Sequence, residues 1–493
     1  PRRPAVGALM FLGLDLGTSG LKAVLVDEGQ AVVSSATAPL TVSRPHPGWS
    51  EQDPAQWWSA LEQVLDVLKA RHPAELAAVR GIGLSGQQHG AVLLDADDRV
   101  LRPCILWNDT RASAECAALE AAWPDLRRVA GNIAMPGFTA PKLLWLRAHE
   151  PEIFSRTARV LLPKAWLRLA LTGEAVEEMS DASGTLWLDV AARAWSVEAL
   201  AATGLPLTAM PRLVEGSGPA GSLRPDLAQA WGMTTPPLFA GGAGDNAAGA
   251  VGLGAIRPGD AFVSLGTSGV LFATTDGAQP YPEGTVHAFC HALPGLWHQM
   301  GVTLSAAASL AWWAGIAGTD EASLVAEIGR VERPSAALFL PYLAGERTPH
   351  NDGAVRGAFA GLSAGTDRPA LTQAVMEGVA FSLRDCLDAV RASGTRVEAA
   401  DVIGGGSRSR AWIRILASVL DIPLSPLAEG EHGGAFGAAR LARLAVTGEA
   451  PETICTPPER GATVLPDRSL AEAYAERLSR YRGLYPALRA LAG

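Results

Sequence analysis

Asp15-Leu16-Gly17-Thr18-Ser19-Gly20 has an echo half a chain later, Ser264-Leu265-Gly266-Thr267-Ser268-Gly269. Each hexapeptide joins two β-prone runs, Phe11–Leu14 and Val24–Val26 in the first copy, Ala261–Val263 and Val270–Ala273 in the second. A motif repeated at half the chain length predicts two related domains, each opening on a strand, a tight glycine turn and a return strand. Glycines in such a turn let a ligand come close to backbone N–H groups, which suits a phosphate, and Thr18 and Thr267 are expected to add hydroxyl donors. Two facing hairpins can hold successive phosphates of one nucleotide. The copies differ chemically at their first residue, Asp15 against Ser264. A carboxylate at that place suits a magnesium ion, which is usually held through carboxylate and water.

Outward from the first hairpin, apolar spacing over Trp57–Leu68 predicts a helix that buries Trp58, Leu61, Val64, Leu65 and Leu68. Strands are expected at Val79–Leu84, Ala91–Leu94 and Cys104–Trp107, and helices over Pro141–His149 and Lys164–Leu171. Interleaved strands and helices mark an α/β architecture. The turn-rich Gly252–Gly259 predicts a boundary that divides the chain into domains 10–253 and 254–493. Near the end of the second domain, Val402-Ile403 leads into Gly404-Gly405-Gly406-Ser407 and then a helical pattern through Trp412, Ile415, Leu416 and Val419. A strand–glycine turn–helix of this kind aims a helix N-terminus at a ligand. A further helix is read over 385–392, and an amphipathic one from about Leu470.

Composition removes several function classes. Over 493 residues, Lys+Arg is 41 and Asp+Glu 50, a net charge of −9, so the chain lacks the basic footprint of a nucleic-acid binder. The four lysines, Lys22, Lys69, Lys142 and Lys164, all follow residues other than glycine, so there is no P-loop. Gly81-Ile82-Gly83-Leu84-Ser85-Gly86 matches a dinucleotide fingerprint, but a polar turn and a strand follow it where a helix is needed. Residues 284–319 carry no Asp, Glu, Lys or Arg, yet their continuous apolar part, Val302–Ile316, is too short for a membrane span and predicts a buried helix. Five scattered cysteines without a Cys-x-x-Cys fit a reducing compartment, so a cytoplasmic protein is expected. His287, Cys290 and His291 have tempting spacing, but on a strand over Thr285–Ala292 only His287 and His291 share a face, without a third ligand for a metal. Pro1–Leu9 reads as an extension ahead of Met10.

Three further places carry candidate chemistry. Gly241-Gly242-Ala243-Gly244-Asp245-Asn246 sets a carboxylate at a strand end among glycines, either as a helix cap or as a general base for a hydroxyl, with Asn246 beside it to contact a polyol. Gln88-His89 joins amide and imidazole on one loop, as in sites for small polar molecules. Trp107-Asn108 ends a strand, where an indole face beside a polar group suits a sugar.

With these motifs assembled, the chain resembles the FGGY carbohydrate kinases. The similarity runs from Phe11 across nearly the whole chain, through TVSRPHPGWSEQDPAQWW (41–58), MPGFTAPKLLW (135–145), SDASGTLWLD (180–189) and FLPYLAGERTPHN (339–351), with the short glycine motifs in order between them. The resemblance implies an actin-like ATPase fold, two domains with RNase H-like cores and an active site in the cleft between them. It implies phosphorylation of a ketose by ATP with Mg²⁺. Asp245 is then the proton acceptor, Asn246 a sugar contact, and Gln88 and His89 the substrate loop. Asp15 with Gly17, Thr18 and Ser19 forms the first phosphate motif, and Gly266, Thr267 and Ser268 the second. Gly404, Gly405, Gly406 and Ser407 form the nucleotide turn. Many bacterial members have Met where this chain has Gln88, and Ala243 stands for a frequent glycine. A related kinase for ribulose, gluconate or glycerol, or an actin- or Hsp70-like ATPase without a sugar, stays open on sequence. The partners expected are the sugar and ATP, without nucleic acid or membrane, and a homodimer is left open.

Overall fold

The computed structural model describes residues 9–427 and 433–490. The extension read ahead of Met10 therefore lies, apart from Leu9, outside the described residues.

The repeated hexapeptide is the visible tip of a repeated sheet. In the first sheet Met10–Leu16 pairs antiparallel with Gly20–Asp27, which pairs antiparallel with Val32–Pro39. On its other side Met10–Leu16 runs parallel to Val79–Gly86, which runs parallel to Leu238–Ala240. The second sheet reproduces this order: Ala261–Leu265, Gly269–Thr275 and Trp297–Thr303 form the antiparallel meander, and Ala400–Ile403 and Leu424–Pro426 add the parallel strands. Numbered along the chain, the five strands common to both sheets have the order 3-2-1-4-5, and each glycine hairpin joins strands 1 and 2; Pro219–Ser222 and Ala243–Gly244 extend the first sheet, and His287–Cys290 the second. This is the actin-like arrangement of two RNase H-like sheets. The strands nearest the centre are buried on both faces, as sheets covered by helices must be; the neighbours Phe11 and Leu12, and Phe262 and Val263, point to opposite faces and are all buried.

The helix expected around Trp57–Leu68 spans Pro54–Arg71 and begins at Asp53, whose side chain accepts the Ala55 N–H. Its buried tryptophan is Trp57 rather than Trp58, because the apolar face turns through Trp57, Leu61, Val64, Leu65 and Leu68. The Val302–Ile316 stretch is corrected more substantially. Val302 and Thr303 end a strand, the helix is Ala307–Ala317, and it is only half buried, with Trp312 and Ile316 exposed. Its lack of charge therefore does not reflect full burial. No helix among the described residues is long and apolar enough to cross a membrane.

One element departs from the division at 253/254. The helix Gly433–Thr447 returns to the first sheet and packs on Met10–Leu16, Val79–Gly86 and the helix Asp245–Leu253. Glycine makes that approach feasible. A Cβ on Gly83 would lie 1.9 Å from the Ala438 carbonyl oxygen, and one on Gly437 would lie 1.8 Å from that of Ala248. Gly83 thus serves helix–sheet packing, which accounts for the glycine pattern at 81–86 without a dinucleotide. The return helix also brings Gly434 against Asp15 and Ser85.

Candidate active site

The first hairpin is built from strand ends. Asp15 sits at the end of the first strand, and its Oδ1 accepts the Ser85 hydroxyl at 2.7 Å from the parallel neighbour. Burial pushes the Asp15 carboxyl up, against the pull of Ser85 and Lys22. The Gly17 amide donates to the Gly20 carbonyl at 3.0 Å, so it closes the turn and is not offered to a ligand as the sequence suggested. Thr18 is a second correction. Its hydroxyl lies 2.8 Å from Gln87 Oε1 and accepts the Trp107 indole N–H at 2.9 Å. Ser19 is exposed at the tip.

Asp245 occupies the first turn of the helix Asp245–Leu253 rather than capping it; Gly244 is the cap residue. Asp245 Oδ1 accepts from the Asn246 N–H at 2.7 Å and from Asn246 Nδ2 at 2.9 Å. The amide of Asn246, expected to face a sugar, here orients the carboxylate. The Asp245 carboxylate is open to solvent, but from a recess that desolvates it, and Asp15 adds like charge. Together they push its carboxyl up to about 7. Because a base must be unprotonated, we expect kcat/KM to fall tenfold per pH unit below about 7 and to level off above it. Asp15→Asn removes the like charge and should move this limb to lower pH. A pH–rate profile checks both, and an unmoved limb would separate Asp15 from Asp245.

The substrate loop lies against the same turn. A Cβ on Gly244 would come within 2.7 Å of the Gln88 amide, whose Nε2 donates to the Ser180 carbonyl at 3.0 Å. His89 Nδ1 lies 2.7 Å from the Gly184 carbonyl, which can only accept, so Nδ1 carries the proton and Nε2 is an acceptor. Burial pushes the imidazole down to about 3 and keeps it neutral. Phe138 packs against its ring, and buried Lys142 donates to the His89 carbonyl at 2.8 Å. Trp107 leaves 46% of its surface exposed, and Asn108 Oδ1 is buried without a partner.

In the second sheet the Gly266 and Thr267 carbonyls accept from Ala307 and Ala306, which anchors the hairpin to the helix Ala307–Ala317, while Thr267 and Ser268 stay exposed. Gly404 has φ 90°, and a Cβ there would meet the Leu265 carbonyl oxygen at 2.6 Å. The nucleotide turn therefore stacks directly on the second hairpin. The Ser407 hydroxyl donates to the Gly404 carbonyl at 2.7 Å and closes the turn instead of facing outward. A 3₁₀ turn over Gly405–Arg408 intervenes, and the helix Arg410–Leu420 starts only after the Ser409 cap. Beside Gly405 and Gly406 opens a cavity of about 560 Å³, walled by Ala307, Leu310, Val325 and Trp412.

Ser85, Glu178 and Ser180 were missed in the sequence. Glu178 Oε1 and Ser180 Oγ both accept the Gly244 N–H at 3.1 Å and hold the turn that carries Asp245. Glu178 also caps its own short helix. Among the described residues, one acidic trio, Glu177, Glu178 and Asp181, has metal-like spacing. Lys164 Nζ, 3.6 Å from Glu178 and 3.4 Å from Asp181, supplies the positive charge there. His287 bonds Asn132 at 3.0 Å, and Cys290 the Val190 carbonyl at 3.4 Å, so neither faces a shared metal position.

Two RNase H-like sheets with matching glycine hairpins and a desolvated carboxylate beside a polar loop define a phosphotransferase of the actin-like class. The model of the FGGY family of carbohydrate kinases, N-terminal domain, matches residues 10–252, and that of the C-terminal domain matches residues 261–446. The chain belongs to the FGGY family of carbohydrate kinases. It is 49% identical to a xylulose kinase of Escherichia coli (strain K12), over 97% of this chain and 99% of that one. It is 51% identical to a xylulose kinase of Klebsiella pneumoniae, over 90% and 91% of the two chains. The crystal structure of a xyloylose kinase from Brucella ovis superposes with a TM-score of 0.95 at 57% identity, covering 98% of this chain and 100% of that one.

Proposed function

We propose that this enzyme transfers the γ-phosphoryl group of ATP to a terminal hydroxyl of D-xylulose, giving D-xylulose 5-phosphate. The observation that carries the reading is the placement of Asp245, a carboxylate pushed up to about 7, on a turn in direct contact with Gln88. A group of that pKa is unprotonated in a useful fraction near neutrality and still basic enough to take a hydroxyl proton. The resemblance to xylulose kinases over nearly the full chain supports the choice of sugar.

In this mechanism Asp245 accepts the hydroxyl proton as the sugar oxygen approaches the γ-phosphorus in line. The new O–P bond forms while the bond to the β-phosphate oxygen breaks and ADP leaves. His89 Nε2 accepts from a sugar hydroxyl, Gln88 and Asn108 bond others, and the Trp107 face covers the carbon chain. The backbone of Thr18 and Ser19 with the Ser19 hydroxyl, and the hairpin Gly266–Ser268, cradle the phosphates, and the 560 Å³ cavity at Gly405–Gly406 takes the adenosine. Phosphoryl transfer needs chiefly such positioning and charge neutralisation. Asp15 and Asp245 concentrate negative charge that Lys22 offsets only in part, so the residues fit a cation. Mg²⁺ held at Asp15 through water would supply that neutralisation. Five free cysteines fit a cytoplasmic setting.

A coupled ADP-release assay over D-xylulose, ribulose, gluconate and glycerol tests the assignment. We expect D-xylulose to raise ADP release by orders of magnitude, since substrate closure of two domains excludes water and completes the site. A higher kcat/KM for another sugar would reassign the substrate, and ADP release indifferent to all of them would indicate an ATPase without a sugar.

A further inference from the structure

We infer that Thr18, despite its place in the first phosphate hairpin, is a positioning residue for the sugar, holding the Trp107 indole through its hydroxyl. The inference rests on the reading of Trp107 as part of the sugar site.

The direction of every hydrogen bond in this part of the molecule can be worked out from groups that only donate or only accept. Trp57 Nε1 can only donate, and it lies 3.1 Å from Gln52 Oε1. The Gln52 Nε2 lies 2.7 Å from the Thr18 carbonyl and 3.3 Å from that of Thr41, both acceptors, which settles the same orientation from the other end of the amide. Gln52 Oε1 must therefore accept from Gln87 Nε2 at 3.0 Å. Gln87 then turns its Oε1 toward Thr18, and the single Thr18 hydroxyl proton goes to it at 2.8 Å. The Thr18 oxygen is left as an acceptor, and it takes the Trp107 N–H at 2.9 Å. Gln52, Trp57 and Gln87 are buried, so the chain is sheltered from competing water until it reaches the half-exposed indole.

Two consequences follow. The Thr18 proton is committed to Gln87 and is not offered to a phosphate, so the hairpin's phosphate contacts rest on backbone and Ser19. Trp107 is tethered by its one polar atom while 46% of its surface stays open, as an aromatic face laid against a sugar requires. The threonine thus links the phosphate hairpin to the sugar platform.

Calorimetry of D-xylulose binding without nucleotide, together with separate KM values for sugar and ATP, tests the role on full-length Thr18→Val, Thr18→Ser, Trp107→Phe and Trp107→Ala. We expect Thr18→Val to weaken sugar binding roughly tenfold with no ATP present, as loss of one ordering hydrogen bond of about 1.4 kcal/mol would. Its KM for ATP should change less than about twofold on the same scale. Trp107→Phe, which keeps a face but loses the N–H, should match Thr18→Val, and the double variant should be no worse than either. Thr18→Ser should restore sugar binding, which separates the hydroxyl from a general packing role. If Thr18→Val leaves sugar affinity intact and raises the KM for ATP, the inference is overturned while the sugar site stands, provided Trp107→Ala weakens sugar binding. If Trp107→Ala also leaves sugar binding unchanged, both the inference and its premise at Trp107 fail.

Discussion

Asp245→Ala is expected to lower kcat for D-xylulose phosphorylation by roughly 10²–10⁴, the usual worth of a positioned general base, while sugar and ATP still bind. The reason is local. Asp245 lies in the first turn of the helix Asp245–Leu253, and Gly244 is the cap residue, so truncation removes only the acceptor of the Asn246 N–H and side-chain amide, at an end open to water. The turn itself is held from behind through the Gly244 N–H by Glu178 and Ser180. What the variant loses is the carboxylate. A positioned sugar hydroxyl would then have to surrender its proton to solvent in a site that excludes solvent. Turnover within a few-fold of wild type in a folded Asp245→Ala protein would remove Asp245 from the reaction.

The second large effect is expected at Gly83, which touches no ligand. Gly13 and Gly83 lie side by side on parallel strands, and the return helix rests on both. A Cβ on Gly13 would be 1.8 Å from the Ala435 carbonyl oxygen, the counterpart of the clash at Gly83. The obstacle in each case is backbone, which cannot swing aside as a side chain can. Gly83→Val should therefore cost about 3 kcal/mol or more, the upper end for overpacking, and lower the melting temperature by several degrees. Activity should fall with stability, because the same helix carries Gly434 against Asp15 and Ser85. Gly315→Ala is the control. It lies on the half-exposed helix Ala307–Ala317 with nothing within 4 Å of the added carbon, so it should be neutral or slightly stabilising. Equal melting temperatures for Gly83→Val and wild type would refute the packing argument.

The parts of this molecule legible in sequence are those with local signatures. The Asp15–Gly20 and Ser264–Gly269 hairpins recur with matching flanks, which makes the doubled sheet legible in the chain itself. The turn at Gly404 could be read because a strand and a helix flank it. The return helix was not legible as part of the first sheet. Gly433–Thr447 is rich in alanine and glycine, and nothing in such a helix says which of two sheets it meets. Its docking partners, Gly13 and Gly83, read only as weak points in strands. Hydroxyl roles were also hidden. Thr18 in a glycine turn reads as a phosphate donor, and only the chain through Gln52, Gln87 and Trp107, drawn from four separate segments, shows where its proton goes. Charge patterning misled in one place: residues 307–317 lack charge and are still half exposed, because small residues and Trp312 form the outer face.

The most direct test of the central claim is to measure ADP and sugar phosphate together, from wild type and Asp245→Asn, with and without D-xylulose. The mechanism predicts that wild type forms one D-xylulose 5-phosphate per ADP, with ADP release orders of magnitude slower when the sugar is omitted. Asp245→Asn, which keeps the shape and the Asn246 contact but cannot take the proton, should bind D-xylulose and form almost no product. Sugar phosphate from Asp245→Asn at the wild-type rate, or wild-type ADP release without any sugar phosphate, would contradict it.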